Sequence, residues 1–344
     1  MGIGIEISYK IIEFDLKITP FFITITMSFL EHLDEFKKNV QELGLTFFSE
    51  DKVHFGEKIG KGGTGTAYLG SLVFSDKDNI EIVAKKFSSN NYHRGYEGDI
   101  YDEAYSELEM LSHLMNEDRI ITVYGFTFIK SYDDSLKIYI LMEKLNTIGD
   151  LHDCIREPLY WKECEGERYY SMSERTKRDI CIKMCECVSD LHKNRIVHCD
   201  LKPNNMIYYT DIIHRDGSSF YPDKRLKLID FGSSIQLESN SKNEIAECDC
   251  DMGTEGYMAP ELKDGLGGYK SDIYSLAVSI LEIWSGDIWL DGEAESFIEC
   301  RKDVLRSLGE VKDKNLKKIL QRCLAKDMKA RPPIDSIIKA LNTA

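Results

Sequence analysis

His198-Cys199-Asp200-Leu201-Lys202-Pro203-Asn204-Asn205 is the stretch that decides the fold. It sets an acid, a lysine and an amide within one short loop. Asp200 can take a proton from a hydroxyl, and Asn205, five residues on, offers an amide oxygen suited to a hard divalent cation.

Further along, Asp230-Phe231-Gly232 comes after the strand-like run Leu226-Lys227-Leu228-Ile229 and supplies a further acid. Ala259-Pro260-Glu261 closes a glycine-punctuated segment that begins at Gly253-Thr254. Upstream, Gly60-Lys61-Gly62-Gly63-Thr64-Gly65 is a G-x-G-x-x-G run, where missing side chains let backbone N–H groups approach phosphate oxygens. Taken alone that run is more often a bland turn, and the same spacing serves dinucleotide folds when an Asp or Glu follows a second strand. Ile82-Val83-Ala84-Lys85-Lys86, some twenty residues further along, reads as a strand ending in lysine.

This ordered series resembles the catalytic core of the eukaryotic-type serine/threonine protein kinases from about Val53 to Leu341, with a non-RD catalytic loop. The glycine run and Gly253 to Glu261 lean towards the tyrosine-kinase-like group. The resemblance implies an α+β, bilobal protein kinase fold: a small five-stranded N-lobe with one main helix, about 53–142, a hinge about 143–149, and a larger, mainly helical C-lobe, about 150–341. It implies ATP and Mg2+ as cofactors and transfer of the γ-phosphate to Ser/Thr hydroxyls of protein substrates.

Residue by residue, the A-x-K register after Ala84 assigns Lys86 to the α and β phosphates and turns Lys85 to the opposite face by strand alternation. Glu107 is the expected partner of that lysine, four and seven residues ahead of Leu111 and Leu114, with Glu103 one turn earlier as runner-up. Asp200 is the expected base, and Lys202 neutralises the moving phosphoryl group. Asn205 and Asp230 hold the metal. Nucleotide contacts are expected from Gly60, Lys61, Gly62, Gly63, Thr64 and Gly65, from Ala67 and Ala84 over the base, and from Met142 as gatekeeper. Glu143 and Leu145 of the hinge and Ile207 complete the set. Glu261 needs a buried cation, which the resemblance assigns to Arg331, and Asp272 braces the catalytic loop.

Cys199 stands where most relatives carry an arginine that clamps a phosphate on the activation segment. A neutral thiol has neither the charge nor the forked donors for this, so activity is expected without phosphorylation there. Ser239, Ser241 and Thr254 remain phosphosites without being switches. Beside the base, Cys199 suits a redox-sensitive thiol better than a zinc ligand, and its reactivity depends on a pKa and an exposure that the residues alone do not give. Asp150 reads either as a selector of a basic residue before the acceptor or as a helix cap.

The 344 residues, 42% apolar and 30% charged, can bury a substantial core. A formal charge of −15 argues against nucleic-acid or anionic-membrane surfaces and favours basic protein partners. Ten irregularly spaced cysteines suit reduced thiols in an intracellular, cytoplasmic setting, and none shows paired C-x-x-C zinc spacing. The thirteen-residue apolar run Ile18 to Leu30 falls short of the about 20 residues needed to span a bilayer. Its acidic leader does not suit a secretion signal, and Glu6 spoils a myristoylation motif at Gly2.

Residues 1–52 form an N-terminal extension, with alternating runs as far as 27 and an amphipathic helix expected over about 29–43, capped by Ser28 and Glu31. Leu30, Leu33, Phe36, Val40 and Leu43 give it an apolar stripe for docking on the core or on a partner. Arg156 to Arg175 and Thr210 to Arg225 read as surface insertions, the second turning at Asp216-Gly217-Ser218-Ser219. Two other readings compete with catalysis on proteins. A pseudokinase scaffold, acting as a binding module, draws on Cys199 and Ala67. A small-molecule phosphotransferase lacks the ending at Ala259-Pro260-Glu261.

Overall fold

A computed structural model describes residues 33–62, 65–75, 78–87, 98–130, 136–147, 149–156, 161–164, 167–170, 172–210, 213–215, 218–220, 225–238, 244–249, 252–285 and 297–343. Gly63, Thr64, the cap at Ser28 and Glu31, the turn residues Asp216 and Gly217, and Ser239 and Ser241 lie outside them.

The N-lobe is a six-stranded sheet of β1 (Thr46–Phe47), β2 (Val53–Lys61), β3 (Gly65–Ser75), β4 (Asp78–Phe87), β5 (Val123–Lys130) and β6 (Leu136–Glu143), in the order β1-β5-β6-β4-β3-β2. The expected five strands are β2 to β6. The sixth, β1, comes from the extension and pairs parallel with β5, Thr46 opposite Gly125 and Phe47 opposite Phe126.

Alternation sorts β4 cleanly. Ile82 and Ala84 are fully buried with Val53, Leu72 and Leu141 on one face of the sheet. Val83, Lys85 and Phe87 face the other way, towards helix α2 (Gly98–His113) and the main core. Ahead of β1, helix α1 spans 33–42, and its residues Leu33, Phe36 and Val40 are buried at helical spacing in that core.

The C-lobe is mainly helical: α3 (Leu151–Arg156), α4 (Glu174–Lys193), α5 (Tyr269–Ser285), α6 (Phe297–Glu310), α7 (Lys314–Cys323) and α8 (Ile334–Asn342). Ser173 caps α4 by accepting from the Thr176 N–H at 3.1 Å, and Ile180, Met184, Val188 and Leu191 bury its inner stripe. In α5 every residue from Ser271 to Ile283 is buried, so this helix is the interior post of the lobe. Where insertions are expected, the chain forms two antiparallel hairpins, Trp161–Cys164 with Glu167–Tyr170 and Ile213–Arg215 with Ser218–Phe220. Among the described residues, no helix is long and apolar enough to cross a membrane.

Candidate active site

Lys85, not Lys86, reaches the cleft. Its Nζ donates to both carboxylate oxygens of Glu107 at 2.7 Å and to Oδ1 of Asp230 at 2.7 Å. The expected register fails because it counted Ala84 as the cleft-facing alanine, whereas Ala84 belongs to the outer core and Val83 occupies the position two residues before the lysine. Lys86 pairs with Thr66 and Ala84 with Tyr68 on the opposite face. Ala67, paired with Lys85, does lie on the cleft side, as does Met142, paired with Val83.

Glu107 is 1% exposed on the inner face of α2, one turn beyond the exposed Glu103. Burial draws the Lys85 ammonium down, but Glu107 and Asp230 outweigh it and hold the group above its ordinary value. The lysine is therefore a fixed positive charge in a nearly dry cleft.

Asp230 is brought to Lys85 by a left-handed backbone, φ 63°, while Phe231 next to it is buried against the His198 ring at 5.2 Å. Cys199 is left-handed too, φ 63°. Such conformations cost about 1–3 kcal/mol in a side-chain-bearing residue and persist only when surroundings enforce them. At Cys199, Asp272 of α5 is the enforcing group. Its carboxylate accepts from the backbone N–H of His198 at 3.0 Å and of Cys199 at 3.1 Å, with His192 Nε2 at 2.9 Å.

On that loop, Oδ2 of Asp200 is held by Lys202 Nζ at 2.8 Å and Asn205 Nδ2 at 3.1 Å. Its other oxygen, Oδ1, is buried without a hydrogen-bond partner among the described residues. Asn205 also donates from Nδ2 to the Asp200 carbonyl at 2.8 Å, which leaves its amide oxygen available as an acceptor. Lys202 further contacts the Thr254 hydroxyl, joining the catalytic loop to the activation segment. At Gly253, φ +96°, a Cβ would fall 2.7 Å from the Cys199 carbonyl oxygen, so the close approach of the two segments requires glycine.

The hinge is tied down from below. Lys227, only 7% exposed, contacts Glu143 Oε1, which also accepts from the Thr122 N–H at 2.7 Å. Lys227 was not among the residues expected at the site; its position two residues ahead of Ile229 and opposite Ile207 is the only hint in the chain. Leu145 and Ile207 are half-buried near it. Gly62 donates to the Gly65 carbonyl at 2.9 Å and closes the glycine turn, of which Gly60 and Lys61 form the strand end. Asp150 caps α3, accepting from the Asp153 N–H at 2.8 Å, and its second oxygen takes Asn204 Nδ2 at 3.2 Å.

The activation segment is anchored twice. Arg331, 2% exposed, forks onto Glu261 at 2.5 and 2.8 Å, and Ser271 adds a hydroxyl donor at 2.8 Å. Earlier in the segment, Ile245–Glu247 pairs antiparallel with Leu266–Gly268, a contact with no signal in the sequence. Cys199 faces this ribbon: a Cβ on Gly267 would lie 3.4 Å from Cys199 Sγ, 3.5 Å from Cys248 Sγ and 2.7 Å from the Ile235 side chain. The pocket beside the base is thus apolar. Burial, then Asp272, pushes the Cys199 thiol well above its ordinary value, and with 1% exposure this argues against a reactive thiol, a point the residues alone leave open.

Comparison with known proteins agrees with this geometry. The protein "Probable serine/threonine-protein kinase fnkE" of Dictyostelium discoideum is 26% identical over 239 residues, 69% of this chain and 16% of the relative. "Calcium-dependent protein kinase 22" of Arabidopsis thaliana is 28% identical over 233 residues, covering 67% and 40%. "Probable serine/threonine-protein kinase 2" of Plasmodium falciparum is 28% identical over 260 residues, covering 74% and 42%. The chain thus spans less than half the length of each of these relatives. The protein kinase domain pattern matches residues 53–341, and with the bilobal fold and the Lys85–Glu107–Asp230 cluster in place, this chain belongs to the protein kinase domain family.

Proposed function

We propose that the protein is an ATP-dependent serine/threonine protein kinase, and the observation that carries the reading is Lys85 joined to both Glu107 and Asp230. A cation fixed between two acids at the mouth of a glycine turn is placed to grip phosphates. An adenine ring bound there would be held by Ala67, Val83 and Met142 of the sheet and by Ile207 of the C-lobe, with the Glu143–Leu145 backbone to bond its edge. The Glu143 side chain is already engaged by Lys227 and Thr122, which keeps the hinge in place for that contact.

The donor set fits magnesium, since the Asp230 carboxylate and the Asn205 amide are both hard oxygen ligands. A magnesium ion held there supplies charge neutralisation on the phosphate oxygens. The free Asp200 Oδ1 orients the acceptor hydroxyl and takes its proton as the bond to the γ-phosphorus forms, while Lys202 faces the transferred group.

Serine or threonine in protein substrates is the acceptor in this reading, supported by Lys202-Pro203 after the base and by the names of the relatives. The charge of −15 favours basic substrates over nucleic acid. A reducing, cytoplasmic setting is supported by the ten irregularly spaced cysteines, none of them in a paired C-x-x-C. A scaffold without catalysis gains nothing from the site, where Lys85, Glu107, Asp200, Asn205 and Asp230 are all present.

The test is magnesium-dependent transfer of the γ-phosphate of ATP to a generic basic protein, comparing wild type with Asp200→Asn. Transfer lost in the variant supports the reading. A folded wild type that neither transfers phosphate nor is stabilised by magnesium-ATP overturns it.

A further inference from the structure

The described residues ahead of the family match at Val53, 33–52, are built into the N-lobe rather than appended to it. Phe36 of α1 is 6% exposed, and its ring meets four others edge-on: Tyr101 at 5.7 Å and Tyr105 at 6.4 Å on α2, Phe126 at 5.8 Å and Phe128 at 5.7 Å on β5. Such edge-on pairs stabilise beyond the area they bury.

Val40 and Leu45 are buried beside it, and the Lys37 ammonium lies 4.8 Å from the Phe47 ring centre. The chain then runs on as β1 along the free edge of β5, with Phe48 N–H donating to the Phe126 carbonyl at 2.9 Å. Gly125 makes room for this strand: a Cβ there would lie 2.0 Å from the Thr46 carbonyl oxygen. The sheet edge is thus shaped to receive residues 46–48.

Tyr101 and Tyr105 stand six and two residues before Glu107 on the same helix. A helix moves as a rigid rod over that distance, so whatever fixes the two tyrosines fixes the acid. The Lys85–Glu107 contact at 2.7 Å tolerates little displacement.

We propose that Phe36 is a positioning residue for the Lys85–Glu107 pair, and that α1 with β1 is an internal clamp holding α2 against the sheet. The proposal rests on the kinase reading for its rate measurements and on the structure alone for its second readout.

The experiment uses the full chain and compares wild type, Phe36→Ala and Phe36→Leu, each also carrying Glu107→Gln. If Phe36 acts through Glu107, Phe36→Ala lowers kcat at least about fivefold, Phe36→Leu restores most of it, and Phe36→Ala adds less than about twofold once Glu107→Gln is present. Amide hydrogen exchange of residues 98–113, taken without nucleotide, accelerates in Phe36→Ala while that of α4 is unchanged.

An equal loss in both backgrounds, or unchanged exchange in α2, overturns the proposal. Should Phe36→Ala fail to fold, Tyr105→Ala removes one ring contact from the α2 side and is read in the same way. A wild type without phosphotransfer would sink the kinase reading, and the exchange comparison would still decide the clamp.

Discussion

Lys85 and Glu107 form a two-pronged contact, with one ammonium nitrogen 2.7 Å from each carboxylate oxygen, and Lys86 lies on the other face of the same strand. Lys85→Met is therefore expected to lower kcat/KM by about 10²-fold or more, and Lys86→Met to change it by less than about threefold. Steady-state kinetics with ATP as the varied substrate checks both. The reverse order would restore the A-x-K register.

Cys199 puts a neutral thiol, not a cation, in the pocket beside Asp200, where the groups nearest Gly267 are Ile235, Cys199 and Cys248. Enzyme treated with a protein phosphatase, and shown by mass spectrometry to carry no phosphate on residues 233–258, is expected to retain activity within about twofold. Loss of turnover that returns on rephosphorylation would contradict this.

Arg331 and Glu261 are buried together, so removing one leaves the other charge uncompensated. Arg331→Ala is expected to cost about 3–5 kcal/mol of stability in chemical denaturation. Arg331→Lys recovers only part of it, because an ammonium cannot fork onto both oxygens and also serve the Ala325 and Lys270 carbonyls.

Asp313 caps α7, accepting from the Asn315 and Leu316 N–H groups, and pairs with Arg178 of α4 at 2.6 Å. The Arg178 hydrogen bond holds its carboxyl below the usual aspartate value of 3.8. A depressed folded-state value means that the stabilisation is complete above about pH 4 and is lost as pH falls through the lower, folded value. At pH 7 Asp313→Ala is expected to cost about 1–2 kcal/mol. The gap from wild type in urea midpoint should shrink between pH 5 and pH 3, and a constant gap would argue against the pairing.

The loop from His198 to Asn205 was legible because catalysis demands those residue types at that spacing, and Glu107 because its helical register against Leu111 and Leu114 left one face for the cleft. The lysine was misread where two lysines adjoin. The alternation of Ile82 and Ala84 against Val83 and Phe87 carries the right answer, but the family's alanine outweighed it. Fold class was readable from motif order, whereas the sixth strand was not. Thr46–Phe47 is two residues long and gains its place from a neighbour without a side chain, Gly125, some eighty positions away. The ribbon between Ile245–Glu247 and Leu266–Gly268 is equally silent, since short backbone pairings need no particular side chains.

The Arg331–Glu261 fork spans seventy residues of chain. During synthesis, the ribosome releases the catalytic loop, the activation segment and all of α5 before the guanidinium that neutralises Glu261 exists. Until then the end of the activation segment is an acid without its counter-charge, beside a helix whose apolar surface is uncovered. The nascent C-lobe therefore completes late, and a chain stalled or cut short before Arg331 would hold Lys85, Asp200 and Asp230 already made, with Glu261 unpaired and α8 still missing.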